Sequence, residues 1–375
     1  MTKPIASCLL CLCLLLACAC AQAYDLNDAR LGDTNIRALY LTQDGGYVAG
    51  LHRDAQRELH VVRRDAQGAV LFDTALPCAE QETGTPFIDS IWPLPDGRLA
   101  AVVQSGYGLG DGASLFLLSP AGEATRAFVL PEGTIAAKPC EVGVLLLLRG
   151  GAQEAARRLT LLDWTGKPLF ADARAAYAQA TTLRATAADG RVFAILNAEP
   201  GNLAVCADEK GVLWAQPIET PEGGSALTAL MADGEGGLYI AGPDDGLRRS
   251  RGRVMRLDAE GNILFDHAVR CDFGEISAVS LTWRRGEPVL VGTVSGGNDC
   301  RAFALPLGAV EAADIRALSV GQGNGVGLRL MPDGAPCLLG TRYGPSPDGS
   351  ATLSYTYLFP FMDLAPADDA NVWLE

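Results

Sequence analysis

A tandem repeat of roughly 47 residues runs through most of this 375-residue chain and constrains its fold more than any other feature. Each unit has a glycine in a turn near its start, and successive glycines are 46 to 52 residues apart: Gly45, Gly97, Gly143, Gly190, Gly236, Gly286 and Gly334. A period of this size, built from short β-like segments, is typical of radial arrays of four-stranded blades. The spacing predicts seven units.

The first unit shows the pattern of one blade. Its four β-like segments cover residues 36–43, 47–52, 58–64 and 69–76, and all are rich in β-branched and aromatic residues. Glycine-containing turns join them, as in a β-meander. We therefore expect an all-β fold, a seven-bladed β-propeller of four-stranded antiparallel blades, over residues 36–364.

Two parts of this propeller are irregular in sequence. A ring needs its last blade tied to its first, because an open strand edge pairs with other chains. Residues 24–35 and the tail of residues 365–375 are alternative sources of the closing strand. In unit six the turn shortens to Pro306-Leu307-Gly308, and residues 309–317 are predicted as either a short helix or an irregular outer strand.

Several units share an Asp-x-x-Gly turn between their third and fourth strands, as at residues 163–166, 208–211 and 258–261. The aspartate side chain accepts a backbone N–H bond, and the glycine takes the left-handed conformation that closes the hairpin. The repeated carboxylates resemble a metal-binding array, but hairpin chemistry explains them. We expect no metal there.

The outer strands continue this turn with a common pattern that ends in an aromatic residue, seen at residues 68–72, 165–170, 211–214 and 261–265. It resembles the repeat of bacterial exported β-propellers, the PQQ-like and WD40-like superfamily in the broad sense, in which that aromatic packs between blades. The resemblance implies a fold and no single activity. The adjacent cysteines of many PQQ dehydrogenases are missing after the leader, so we expect neither PQQ nor another cofactor.

Residues 1–23 are predicted to be a cleaved signal peptide, with Lys3 before an apolar stretch too short to span a bilayer comfortably. Ala21-Gln22-Ala23 fits ordinary signal peptidase, whereas Leu15-Leu16-Ala17-Cys18 resembles a bacterial lipobox that would make Cys18 a lipidation site. Both alternatives predict export, to the cell envelope or the outside, and no membrane span.

Export makes disulfides possible for the six cysteines that follow the leader. Cys271 and Cys300 lie in connections predicted to share one end of the sheets, and they are the best candidates for a disulfide. Cys140, Cys206 and Cys337 lie in strand contexts and are expected to be buried as small apolar residues.

The net charge of −14 becomes −15 when the leader is removed with its only charged residue, Lys3. This charge argues against nucleic acid and anionic lipid surfaces as partners. A protein, a glycan or a local anionic ligand remains as a predicted partner.

In a meander, the second-to-third-strand and blade-to-blade connections share one end of the sheets, which we call the loop end; the opposite end is the turn end. The loop-end connections are long and variable here, as functional loops often are. They carry the candidate binding residues, namely Arg248, Arg249, Arg251, His52, Tyr107 and Asp299. The arginines suit carboxylate, sulfate or phosphate groups, although ion pairs with Asp244, Asp245 and Asp258 would also explain them.

Catalytic residue patterns are scarce. The three histidines, His52, His60 and His267, are dispersed and do not suggest a zinc site. Neither G-x-S-x-G nor H-E-x-x-H occurs. We expect a non-catalytic binding or assembly module at a bacterial cell envelope, with its ligand at the loop end. The alternatives are a channel-mouth enzyme, such as a glycoside hydrolase or polysaccharide lyase, and a structural protein without a small ligand.

Overall fold

A computed structural model describes residues 24–25, 34–53, 58–77, 86–94, 96–105, 113–149, 157–198, 201–219, 227–243, 251–297, 299–312, 314–318, 327–330, 335–345 and 352–375. Within these ranges the chain forms thirty strands in seven antiparallel sheets, numbered by their order along the chain. The predicted all-β propeller fold is confirmed.

Sheets one to four are four-stranded meanders in which each strand pairs with the next. After β1 (Tyr24–Asp25), sheet one contains β2 (Thr34–Leu41), β3 (Tyr47–Arg53), β4 (Glu58–Arg64) and β5 (Val70–Leu76). Sheet two contains β6 (Pro86–Pro93), β7 (Leu99–Ser105), β8 (Ser114–Leu118) and β9 (Ala124–Val129). Sheet three contains β10 (Thr134–Cys140), β11 (Gly143–Arg149), β12 (Arg157–Leu162) and β13 (Pro168–Asp172). Sheet four contains β14 (Ala180–Ala188), β15 (Arg191–Ala198), β16 (Asn202–Asp208) and β17 (Gly211–Ile218).

The remaining strands form sheets five to seven and the tail. Sheet five begins with β18 (Ala229–Ala232), β19 (Leu238–Pro243), β20 (Arg251–Leu257) and β21 (Ile263–Cys271). Sheet six begins with β22 (Glu275–Arg284), β23 (Glu287–Gly296), β24 (Asp299–Pro306) and β25 (Asp314–Leu318), and sheet seven with β26 (Gly327–Leu330), β27 (Pro336–Pro345) and β28 (Thr352–Pro360). The tail has β29 (Ala365–Pro366) and β30 (Val372–Leu374), and single 3₁₀ turns lie at Ala175–Tyr177 and Phe361–Asp363. Among the residues described, no helix has the length and apolar character needed to cross a membrane.

Both ends of the chain add strands to sheets that are distant in sequence. β1 pairs with β28 as the outer strand of sheet seven, with Tyr24 opposite Leu358. The tail adds a fifth strand to two other sheets, because β29 pairs with β25 of sheet six and β30 pairs with β21 of sheet five. The N-terminal segment therefore joins the last sheet, while the tail covers the outer edges of sheets five and six.

The hydrophobic core lies between neighbouring sheets. Among the described residues, six clusters of buried residues each join two consecutive sheets, and a seventh packs Leu41 and Val62 of sheet one around Cys337 of sheet seven. Because both faces of a sheet contact a neighbour, inner strands are buried continuously rather than alternately, as β11 is from Gly143 to Leu148.

The Asp-x-x-Gly turns have the predicted hairpin geometry. Oδ1 of Asp258 accepts backbone N–H bonds from Glu260 at 3.0 Å and Asn262 at 2.8 Å, and Gly261 has φ of 89°. Asp163 accepts the equivalent bonds from Thr165 and Lys167 at 2.8 and 3.0 Å. The backbone uses these carboxylates to close the turns.

Within the ambiguous segment of residues 309–317, sheet six forms an outer strand that begins at Asp314. β25 pairs with β24, and Ile315 lies opposite Phe303. The chain between them turns at Leu307 and Gly308 without the aspartate of the other turns, and then continues through Val310 and Glu311. The short turn leaves room beside sheet five.

Candidate functional site

Three of the six predicted loop-end binding residues lie outside the part of the chain that the structure describes. Arg248, Arg249, Tyr107 and Cys18 lie outside the described residues. The remaining three binding candidates occupy three different sheets. His52 lies on β3 with its backbone opposite Leu59, Arg251 begins β20 opposite Arg270, and Asp299 begins β24 as an exposed residue opposite Gly296.

The structure does not contain the predicted disulfide between Cys271 and Cys300, because both are buried free thiols. Cys271 packs in the cluster between sheets five and six, whereas Cys300 packs in the cluster between sheets six and seven. The two thiols therefore lie on opposite faces of sheet six, and sharing one end of the sheets does not bring them together. Burial raises the pKa of both thiols. The predicted burial of Cys140, Cys206 and Cys337 is confirmed.

Charged residues that the structure does describe at the loop end hold the tail. The guanidinium of Arg301 binds both carboxylate oxygens of Asp369, with Nε 2.8 Å from Oδ1, and lies 4.6 Å from the ring centre of Phe273. Asp272 binds the backbone and side-chain amides of Asn371 at 2.7 and 2.6 Å. The hydrogen bond from Arg301 lowers the pKa of Asp369. These contacts fix the tail across sheets five and six.

An open groove of about 510 Å³ lies at the turn end between sheets five and six. Sheet five contributes Tyr239 and Phe265, and sheet six contributes Glu287, Pro288 and the turn residues 306–309. Tyr239 is only 5% exposed and forms the floor. Its ring lies 6.1 Å from that of Phe265, with the two planes tilted by 48°. We call this site the five–six groove.

Two further rings support these aromatics. Trp283 at the end of β22 meets Tyr239 edge-on, at 6.1 Å and 84°, and is 39% exposed. His267 stacks on Phe265 with ring centres 5.2 Å apart. One face of Phe265 is therefore covered by His267, and its edge and remaining surface line the groove.

The groove exists because a contact that recurs elsewhere in the ring is missing here. At three other interfaces the aromatic of one outer strand lies against the turn glycine of the next sheet. A Cβ at Gly122 would be 2.5 Å from Phe72, one at Gly166 would be 3.0 Å from Phe128, and one at Gly261 would be 2.8 Å from Trp214. At Gly308, in contrast, a Cβ would have no atom within 4 Å.

The interface between sheets three and four shows that a missing glycine contact is not enough to open a groove. Gly211 also has open space beside it, but Phe170 is buried, at 7% exposure, in the cluster that joins these sheets. Phe265 is half-buried, as Phe128 and Trp214 also are beneath their glycines. At the five–six groove this half-buried ring lies beside a turn glycine with open space, and that space forms the groove.

An ion-pair network supports the floor of the groove. Arg256 lies 5.4 Å from the ring centre of Tyr239, and its Nη2 is 2.9 Å from Asp233 and 2.6 Å from Glu235. Burial is the largest single effect on Asp233 and raises its pKa. The bonds from the backbone of Glu235 and Gly237 and from Arg256 outweigh burial, so the net pKa is lowered. These charges hold the turn of sheet five, and Glu287 is the carboxylate on the groove itself.

Comparisons with known proteins identify the fold and no family. No family model matches the chain, and no curated protein matches it. It is similar to prolyl oligopeptidase B from Galerina marginata, with a TM-score of 0.58 and 11% identity over 91% of this chain, and it spans about half (51%) of that enzyme.

Two isolated propellers match over nearly their whole length. The propeller domain of the Trilobed protease from Pyrococcus furiosus has a TM-score of 0.51 and 8% identity, over 87% of this chain and 95% of that one. The Dos1 propeller has a TM-score of 0.50 and 12% identity, over 90% and 94%. At these identities the likeness shows a β-propeller and does not indicate an activity.

Loop variability does not point to the five–six groove, because the groove lies at the turn end. A sequence signal for it does exist. Phe265 has the outer-strand aromatic pattern, while the next unit lacks the Asp-x-x-Gly turn that would cover such a ring.

Proposed function

We propose that this chain is a non-catalytic binding or assembly module of a bacterial cell envelope, exported by its N-terminal segment. The observation that carries this proposal is the five–six groove, an aromatic-floored depression held open by the sheets on both sides. Binding sites are typically preformed, concave and largely apolar, with a few polar groups that orient the ligand. Glu287 is such a group here.

The chemistry around the groove supports binding rather than bond cleavage. Arg256 and Asp233 hold each other and the turn of sheet five. These charged groups support walls made mainly of rings, prolines and backbone. We predict a second binding surface at the loop end, where Arg248, Arg249 and Arg251 would bind an anionic ligand.

A thermal-shift screen of the full mature chain against panels of peptides, glycans and anionic metabolites tests the proposal. Gly308→Trp fills the groove from a position that has open space. Ala121→Trp is the matched control, because it adds the same ring at an exposed position in the already closed turn of sheet two. We expect a ligand whose stabilisation disappears in Gly308→Trp and persists in Ala121→Trp.

Joint replacement of Arg248, Arg249 and Arg251 by alanine separates the two surfaces in the same screen. An anionic ligand lost only in that variant would assign binding to the loop end. Turnover of a glycan in the panel would replace the binding function with the enzyme alternative.

Export is tested by fractionation of a bacterium that expresses the full chain. We expect the mature protein outside the cytoplasm, beginning at Tyr24 after ordinary cleavage. A diacylated Cys18 that is lost in Cys18→Ala would instead establish a lipid anchor, and cytoplasmic retention would contradict export.

A further inference from the structure

We propose that the five–six groove binds a tight glycine-containing turn of a partner protein, with a basic side chain of that turn against Glu287. This inference rests on the proposed binding function and specifies its ligand. The chemistry of the occupant follows from three features on the groove, namely its rings, its shape and its charge.

The fold itself shows what covers an outer-strand aromatic ring. At three interfaces the cover is a hairpin turn whose glycine has no Cβ to keep the backbone away from the ring. Polar contacts add to this packing, since Trp214 Nε1 donates to the Ala259 carbonyl at 2.9 Å and Thr74 donates to the Gly122 carbonyl at 2.6 Å. Beside Phe265, the turn glycine of sheet six, Gly308, makes no such contact and has open space around it. A turn of the same geometry from another protein would supply this contact.

The shape of the groove favours a turn over a sugar ring. Stacking of a pyranose needs an open, flat aromatic face. Tyr239 is 5% exposed with Arg256 over its ring, and Phe265 is tilted against it by 48°. The two tilted rings enclose a narrow cleft, which fits a hairpin turn better than a flat pyranose ring.

The negative charge at the groove favours a basic partner and disfavours a second copy of this chain. Glu287 is exposed on the wall of the groove, on a protein of net charge −14. The turns of this chain carry carboxylates of their own, such as Glu260 beside Gly261. A second copy would therefore place like charges together, whereas a lysine or arginine at the Glu260 position would form an ion pair with Glu287.

The test uses two backbone-cyclised hairpin peptides that copy residues 254–268 of this chain, one with the natural turn and one with Glu260→Lys. Each carries a fluorophore and is titrated with the full mature chain at low salt, by fluorescence anisotropy. We expect saturable binding of both peptides, with the lysine peptide about two- to fivefold tighter, as expected for an exposed ion pair.

Groove variants make the result specific. Gly308→Trp is expected to weaken the lysine peptide about tenfold or more, and Ala121→Trp to leave it unchanged. Glu287→Gln should abolish the preference for lysine, because it removes both the ion pair with the lysine peptide and the like-charge contact with Glu260 of the natural peptide. Added salt should reduce the preference in the wild-type chain.

Several results would overturn this inference. One is no binding of either peptide, and another is equal binding to wild type and Gly308→Trp. If maltohexaose competes with the peptides for the groove, the occupant is a glycan. If the wild-type chain forms a dimer that dissociates in Gly308→Trp, the occupant is a second copy of this chain. If the thermal-shift screen still gives a ligand that Gly308→Trp blocks, the binding function stands and only the turn hypothesis fails.

Discussion

The indole ring of Trp214 on sheet four lies against Gly261 in the turn of sheet five. A Cβ at Gly261 would be 2.8 Å from the ring, and Gly261 has φ of 89°, a conformation that favours glycine. The packing of Trp214 on Gly261 therefore holds sheets four and five together at a position where no side chain separates them. The same arrangement at Phe72 and Phe128 makes it a recurring device of the ring.

Gly261→Ala should destabilise the protein by about 2–5 kcal/mol. The left-handed backbone costs about 1–2 kcal/mol with a Cβ, and the clash with Trp214 adds about 1–3 kcal/mol. Gly308→Ala is the matched control and should change the free energy of unfolding by less than about 0.5 kcal/mol, since it meets open space. Urea unfolding of both variants checks this, and equal losses would show that Gly308 is covered.

The Asp233–Arg256 pair should make stability fall in acid. The folded-state pKa of Asp233 is lowered, so its contribution is present above the ordinary aspartate pKa of about 3.9 and is lost as the pH falls through the lower folded value. Asp233→Asn should flatten the acid side of a plot of stability against pH. Glu235→Gln changes an exposed partner of the same arginine and is the control variant. Parallel acid limbs in wild type and Asp233→Asn would contradict the assignment.

Cys271 and Cys300 should both react as free thiols. Native protein should react slowly with iodoacetamide, because both residues are buried and burial raises their pKa. Unfolding without a reductant should expose both to alkylation, which peptide mass spectrometry detects. A peptide that links Cys271 to Cys300 would contradict the placement of the thiols on opposite faces of sheet six.

Removal of residues 365–375 should uncover the outer edges of sheets five and six. Unpaired edges promote association between chains, so the truncated protein should aggregate at lower temperature than the full chain. Light scattering during heating measures this. Asp369→Asn weakens the tail contact without removing a strand and should shift aggregation in the same direction by less. Identical aggregation temperatures for all three would show that the tail does not protect the edges.

Much of the fold follows from local chemistry in the sequence. Turns such as Asp258 to Gly261 specify hairpins through bonds within a few residues, so their repetition predicts the sheets. The sequence leaves residues 309–317 ambiguous because the turn before them lacks that signature, and pairing with β24 makes a strand from Asp314 onward. The tail strands are only two and three residues long, too short for any periodicity to predict the sheets they join.

The candidate site was harder to predict, because it depends on which face of a sheet a residue occupies. Cys271 and Cys300 lie at the same end of the sheets, which suggests a disulfide, but the alternation along β24 turns Cys300 away from sheet five. The five–six groove depends on a mismatch between neighbouring units. Phe265 follows the repeat and residues 306–308 break it, and the structure shows that the two lie side by side.

The most direct test of the groove as a binding site is the ratio of dissociation constants of the Glu260→Lys hairpin for Gly308→Trp and for the wild-type chain. The structure predicts a ratio of about ten or more, with a ratio near one for Ala121→Trp. A ratio near one for Gly308→Trp would contradict the claim that the half-buried Phe265 and the open space at Gly308 form the site.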